Sequence, residues 1–384
     1  MNRANRVAVH GAWIPVLLAT ASCARSAAAP APQAASGSGG QPASVLVTRT
    51  APASTADGRE PRWEDALPSH APIRLGLRPQ MLQSDRVYGP LWRHALGVAR
   101  AQSRVVAGTR LLEAIEHAEE VHVQLDAAPG GPDDIAAASR SGDDTAAGMV
   151  VVLRGVPGDV DPGTLVDPEG HPLWSAGPFG PVRELVHEQD PDGSPNPASL
   201  FELPGRTWVI ASGRSRSRAR DAFARPLGRP EPSFDPDALA LLELDGPELV
   251  ARVPALRPKR AGGGALAVLG QGLGNVAFEL RPGVEHEVRT MLRYEAEGNA
   301  VAAERTLADL KGAIERTKPA WLMWFDAATV TRTVASPVLR IDAPLPAELL
   351  EAWLQAGAHT GQTSGQPAAQ PAGPIPKAGG PGGL

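Results

Sequence analysis

Val121-His122-Val123-Gln124-Leu125 alternates apolar and polar side chains, and Val276-Ala277-Phe278-Glu279-Leu280 repeats the alternation later in the chain. Successive side chains of a strand point to opposite faces, so each run reads as a strand with one buried face. A second strand follows each, Met149 to Arg154 (MVVVLR) and Val288 to Arg293 (VRTMLR). Thr207-Trp208-Val209-Ile210-Ala211-Ser212 then leads into a helical stretch, Arg218 to Arg225. Pro337-Val338-Leu339-Arg340-Ile341-Asp342 likewise leads into Glu348 to Gln355. The two segments align without a gap over about 25 residues, and Ala222-Phe223 falls on Ala352-Trp353. Each copy opens with an apolar strand, Ile73 to Leu77 and Leu239 to Leu244.

Helix candidates in the first copy are Leu91 to Ala118, with a break near Ala107-Gly108, and Val182 to Glu188. In the second they are Pro247 to Leu256 and Asn299 to Arg316. In the last, Val301, Leu307, Leu310 and Ile314 share one face, while Glu304, Arg305, Asp309 and Lys311 lie mostly off it. Each copy thus runs strand, helix, strand, strand, helix, strand, closing helix. That order resembles the ferredoxin-like α+β unit. The resemblance implies an α+β protein of two tandem, internally repeated units, 72–230 and 231–357.

The flanks have another composition. Residues 24–71 are rich in Ala, Pro, Ser and Gly, with Val45-Leu46-Val47 and Trp63 as the apolar exceptions, and 358–384 are rich in Gly, Pro, Gln and Ala. Such segments bury too little apolar surface to offset the entropy of ordering them, so they read as a tether and a disordered tail. Before the tether, Arg3 and Arg6 precede an apolar stretch, Val7 to Ala21, that ends in Ala21-Ser22-Cys23, with Cys23 the single cysteine of the chain. The stretch is shorter than the roughly 20 residues a membrane-spanning helix needs. This arrangement resembles a bacterial lipoprotein signal, although Thr20 stands where that pattern usually has Leu. The resemblance implies a signal peptide over 1–22 and a lipid on Cys23. Ala24, in place of the Asp of an inner-membrane retention signal, points to the outer membrane. The competing reading is an Ala19-Thr20-Ala21 cleavage site, which releases a soluble periplasmic or secreted protein.

The formal charge is −5 over 384 residues, which argues against a general nucleic-acid binder. With Cys23 used at the anchor, there are no disulfides or thiolate metal sites. Arg214, Arg216, Arg218 and Arg220 form the densest charge cluster, and Ser215 or Ser217 is placed to cap the following helix. Arginines around a helix N-terminus make a candidate anion site. The plainer reading is a solvated face, because the matching residues Pro344, Pro346, Glu348 and Leu350 show that the fold does not demand Arg there.

Other patterns are weaker. Gly270-Gln271-Gly272-Leu273-Gly274 precedes a strand, where a dinucleotide loop must precede a helix. Asp190 to Asn196 spaces oxygen ligands as calcium loops do, but Pro195 stands where the turn needs Gly and Phe201 where the closing Glu belongs. His122, His187 and His286 are isolated and read as surface residues. Trp208, Trp321, Trp324 and Trp353 read as core. No cofactor motif, nucleophile elbow or metal set is present. The expectation is a lipid-anchored envelope protein that binds or scaffolds an envelope partner or small ligand. The alternatives are a secreted hydrolase built from distant carboxylates and histidines, and an anion-binding module using Arg214 to Arg220.

Overall fold

The structure, a computed structural model, describes residues 59–102, 106–126, 148–164, 172, 174–177, 180, 182–189, 195–232, 234–246, 268–282, 287–317 and 326–344. The strands are β1 (Ile73–Leu77), β2 (Glu120–Asp126), β3 (Gly148–Arg154), β4 (Ser175–Ala176), β5 (Arg183–Gln189), β6 (Pro195–Leu203), β7 (Thr207–Ser212), β8 (Ala240–Asp245), β9 (Leu273–Arg281), β10 (Glu287–Tyr294), β11 (Thr329–Arg332) and β12 (Val338–Pro344). The helices are α1 (Trp63–Ala66), α2 (Pro79–Ser84), α3 (Tyr88–Gln102), α4 (Val106–His117), α5 (Arg214–Ala224) and α6 (Glu297–Thr317).

All twelve strands form one sheet in the order β11-β12-β10-β9-β8-β1-β2-β3-β7-β6-β5-β4, and every pairing is antiparallel. This overturns the expectation of two ferredoxin-like units. In a split β-α-β unit the helix joins parallel strands, and such strands need a long crossover. Here α2, α3 and α4 join β1 to β2, which are adjacent and antiparallel. The expected helix Val182 to Glu188 is strand β5, inside a β4-β5-β6 meander. Strands β1 and β8 then pair along their whole length, so the two halves are one sheet. The periodicity of a strand states which side chains share a face. It does not state the neighbour or its direction, and those separate the two topologies.

The sheet has a front and a back. Ile73, Leu75 and Leu77 of β1, Val121, Val123 and Leu125 of β2, and Met149, Val151 and Leu153 of β3 face the front. They pack under Leu82 of α2, Tyr88, Trp92 and Leu96 of α3, and Leu112 and Ile115 of α4, with Trp208 and Leu242 in the same core. In the other half Ala300, Ala303 and Leu307 of α6 cover Val276, Leu292, Leu339 and Ile341. These α6 positions repeat at helical spacing, which explains why one face of a 21-residue helix is buried.

The back is covered differently. Strand β3 reads as a near-continuous apolar run because both of its faces are buried. Its Val150 and Val152 meet Val209, Ala211, Phe201 and Leu203 beneath α1 and α5, which contribute Trp63, Ala66, Leu67, Ala219 and Phe223. Thus part of the stretch that composition groups with the tether packs against the sheet: Trp63 to Pro68 are buried, all four residues of α1 among them.

From the β1–β8 pair outward, the strand order is β1-β2-β3-β7 on one side and β8-β9-β10-β12 on the other. The ladders correct the gapless alignment. Trp208 pairs with Leu153 and Leu339 pairs with Leu292. Since MVVVLR matches VRTMLR, Trp208 corresponds to Leu339 and not to Val338. A slip of one residue exchanges the faces of a strand, so this shift decides that Leu339 faces the core.

Candidate functional site

The four arginines of α5 do not form one cluster. Residues four apart stack on one side of a helix, so Arg214 and Arg218 occupy one flank and Arg216 and Arg220 the other. Between the flanks lie the buried Ser215, Ala219, Ala222 and Phe223. Asp126, at the end of β2, accepts from Arg214 and, at 2.9 Å, from Arg218. On the other side Arg220 donates to the buried Glu184 at 2.7 Å, and Arg216 donates to Ser199 Oγ at 2.8 Å. Ser199 itself donates to Glu184 at 2.5 Å. The guanidinium groups therefore staple α5 to the sheet on both sides. The N-cap is Gly213, which has no side chain to cap with, and the Ser215 side chain is buried beside Gly148. Of the matching residues in the second copy, Pro344 ends β12; Pro346, Glu348 and Leu350 lie outside the described residues.

A second constellation sits at the centre of the back face, where the halves meet. Glu120, His122, Gln124 and Asp126 alternate along β2 and share that face. His122 was expected at the surface, yet it is only 6% exposed. Its ring stacks on Trp63, with centroids 4.9 Å apart, and meets the edge of Phe234 at 6.0 Å. Phe234 in turn lies under the Arg78 guanidinium, 4.2 Å from the ring centre, and Trp63 lies beneath that of Arg154. Glu120 accepts from Arg154 at 2.5 Å and from Arg78 at 3.3 Å. The hydrogen bond from His122 does most to bring its carboxyl down to about 2, Arg154 adds to this, and burial opposes it.

Beside this group lies a recess of about 30 Å³, lined by Arg74, Gly76, His122, Gln124, Phe234 and Glu243 among others. Arg74 approaches Glu243 at 3.5 Å across the β1–β8 pair. His and Glu therefore do converge at the junction, as a hydrolase built from distant residues requires. The volume is far below the few hundred Å³ of an ordinary ligand cleft.

The back face of the second half carries a ladder of charges. Arg289 is held between Asp342 at 2.9 Å, Glu279 at 3.4 Å and Asp235 at 3.6 Å. Arg340 donates to Asp342 at 2.5 Å, and Arg281 to Asp235 at 2.5 Å. Burial raises Glu279 above the ordinary carboxylate range against the pull of Arg289. Burial also raises Glu287, which hydrogen-bonds Asp342. Asp342 is raised by its own burial, but the bonds from Glu287, Arg340 and Arg289 outweigh that and leave it lowered.

Gly270 to Gly274 form a turn into β9, where Glu295 N–H donates to Gly272 O at 2.8 Å. Gly272 has φ +64, and a Cβ there would stand 2.0 Å from Asn299 Nδ2, so the turn requires glycine. Phe201, the would-be closing ligand of the calcium pattern, is a core residue of β6. His187 lies on β5, with its ring 5.8 Å from Trp174. Cys23, Asp190, Asp192, His286, Trp321, Trp324 and Trp353 lie outside the described residues. Among the described residues no three His, Cys, Asp or Glu side chains are grouped to hold a metal, and no helix is long and apolar enough to cross a membrane.

Sequence reasoning missed the Trp63–His122 stack. Trp63 stood out as a lone large apolar residue in a polar stretch, but nothing local names its partner. No family model, curated protein or solved structure matches this chain.

Proposed function

We propose that the chain is an exported, lipid-anchored envelope protein, acylated on Cys23, that binds or scaffolds a partner and is not an enzyme. The observation that supports the non-catalytic part is that, among the described residues, the convergent charged groups of α5 and β2 are engaged with one another. Asp126 is shared by Arg214 and Arg218, Glu184 holds Arg220, and Glu120 holds Arg78 and Arg154. Groups satisfied in this way hold helices on a sheet and leave little free to act on a substrate. The anchor rests on the basic start, the apolar Val7 to Ala21 stretch and the small residues before Cys23. An α1 packed with α5 on the back of the sheet gives such an anchor a fixed point of entry into the fold.

The test expresses the full chain and its Cys23→Ser variant in a Gram-negative host. The native chain is expected in the membrane fraction, with an intact mass that includes a diacylglyceryl thioether and a cut before Cys23. The variant is expected in the soluble fraction. A native chain that is soluble with a free thiol sinks the anchor.

A further inference from the structure

We propose that the recess at the β1–β8 junction is a buried-water site, and that two water molecules held there bridge β2, β1 and β8 and tie the halves of the sheet together. The side chains of His122 and Gln124 are more than nine-tenths buried. Gln124 Oε1 and Arg74 Nε are buried atoms without a hydrogen-bond partner, and both residues line this one recess beside His122. Buried polar atoms in proteins almost always find a partner, and ordered water is the usual one when protein does not supply it. A volume of about 30 Å³ accommodates two waters at roughly 10–15 Å³ each.

Charge selects water over an ion. Arg74 faces Glu243, so the recess carries no net charge from that pair. Arg74 Nε–H offers a donor and Gln124 Oε1 an acceptor, so the occupant must both accept and donate. Gly76 lines the recess without a side chain. It pairs with His122 on one side and Leu241 on the other, and a Cβ added there would stand 3.4 Å from the ring of Phe234, which lines the same recess.

The test is Gly76→Ala, read in two ways. Oxygen-17 relaxation dispersion of the solvent counts waters held longer than the protein tumbles. The variant is expected to hold one or two fewer than the native chain, and to melt at a lower temperature, because displacing well-bound water costs more than the added methyl returns. An unchanged count overturns the site. A lower count with a higher melting temperature overturns the tie, since filling a weakly held site stabilises. Gln124→Leu, which removes the acceptor, is the second variant in case Gly76→Ala does not fold, and the same loss of long-lived water is expected.

Discussion

The back faces of the two halves solve one problem in opposite ways. In the first, Val150 of β3 pairs across the ladder with Ala211 of β7. In the second, the corresponding pair is Arg289 of β10 with Asp342 of β12. Val152 likewise corresponds to Met291, and Val209 to Arg340. The first half buries its pair under α1 and α5, which gains apolar burial and needs helices that fit. The second sets a chain of charges against each other, Arg289 with Asp342, Glu279 and Asp235. The comparison teaches that strand order leaves the chemistry of a face open. What each face requires is that its groups be satisfied, by packing or by pairing.

The largest expected effect breaks the apolar side. Phe223 is buried at the α5 seam with its ring on Phe201. Phe223→Ala should cost about 3–5 kcal/mol in urea unfolding, the usual range for a buried aromatic cut to Ala. Loss of under about 1 kcal/mol would mean that α5 is not held by this seam.

Breaking the charged side comes next. Arg289→Val alone should cost about 3 kcal/mol, because it leaves the buried Glu279 without its cation and Asp342 with Arg340 alone. Installing the first half's pair, Arg289→Val with Asp342→Ala, should recover part of that loss. A double-mutant cycle reads the coupling, and strict additivity of the two changes would refute it.

Two pH effects of opposite sign sharpen the contrast. Glu120, in the first half, has a folded value of about 2, below its unfolded one. Its contribution is therefore complete above the ordinary carboxylate value and is lost as pH falls from there toward 2. It is on the order of 3 kcal/mol at neutral pH, and Glu120→Gln should flatten the acid limb of stability by that amount. Glu279, in the second half, is raised in the folded state. As pH rises from the unfolded value to the folded one, the unfolded chain loses its proton first, so stability falls across that window. Glu279→Gln should remove that fall; an equally steep decline in the variant, by chemical denaturation at stepped pH, would place its origin elsewhere. The smallest effect concerns the staples. Arg218→Gln should cost less than about 1 kcal/mol, because Arg214 still holds Asp126. Arg214→Gln and Arg218→Gln together should cost more than the sum of the single changes.

Much of the secondary structure was legible in the sequence. The strands of Val121 to Leu125 and Val276 to Leu280 announce themselves by alternation, and the 3.6-residue repeat announces α6. The β5–β6 ribbon was not legible, because Val182, Leu185 and Val186 fall at the helical spacing i, i+3, i+4, whereas the strand sends Leu185 to one face and Val182 packs against the other. The site was less legible still. The arginine run was visible, but its acids, Asp126 and Glu184, are distant in the chain. Charge pairing across such separations has no local signature. His122 read as a surface residue because its strand neighbours assign it to the polar face, and only Trp63 and Phe234, from two other segments, cover that face.

Sequence alone determined which side chains alternate, where the helix repeats run and which residues carry charge, because those properties belong to neighbours along the chain. The tertiary structure alone decided that the strands join into one antiparallel sheet, that the Trp208 strand matches its counterpart one residue out of step, and that the arginines of α5 serve as staples. Each of those outcomes depends on which distant segment arrives opposite. That is settled by the joint packing of both faces and the pairing of buried charges, not by any single stretch.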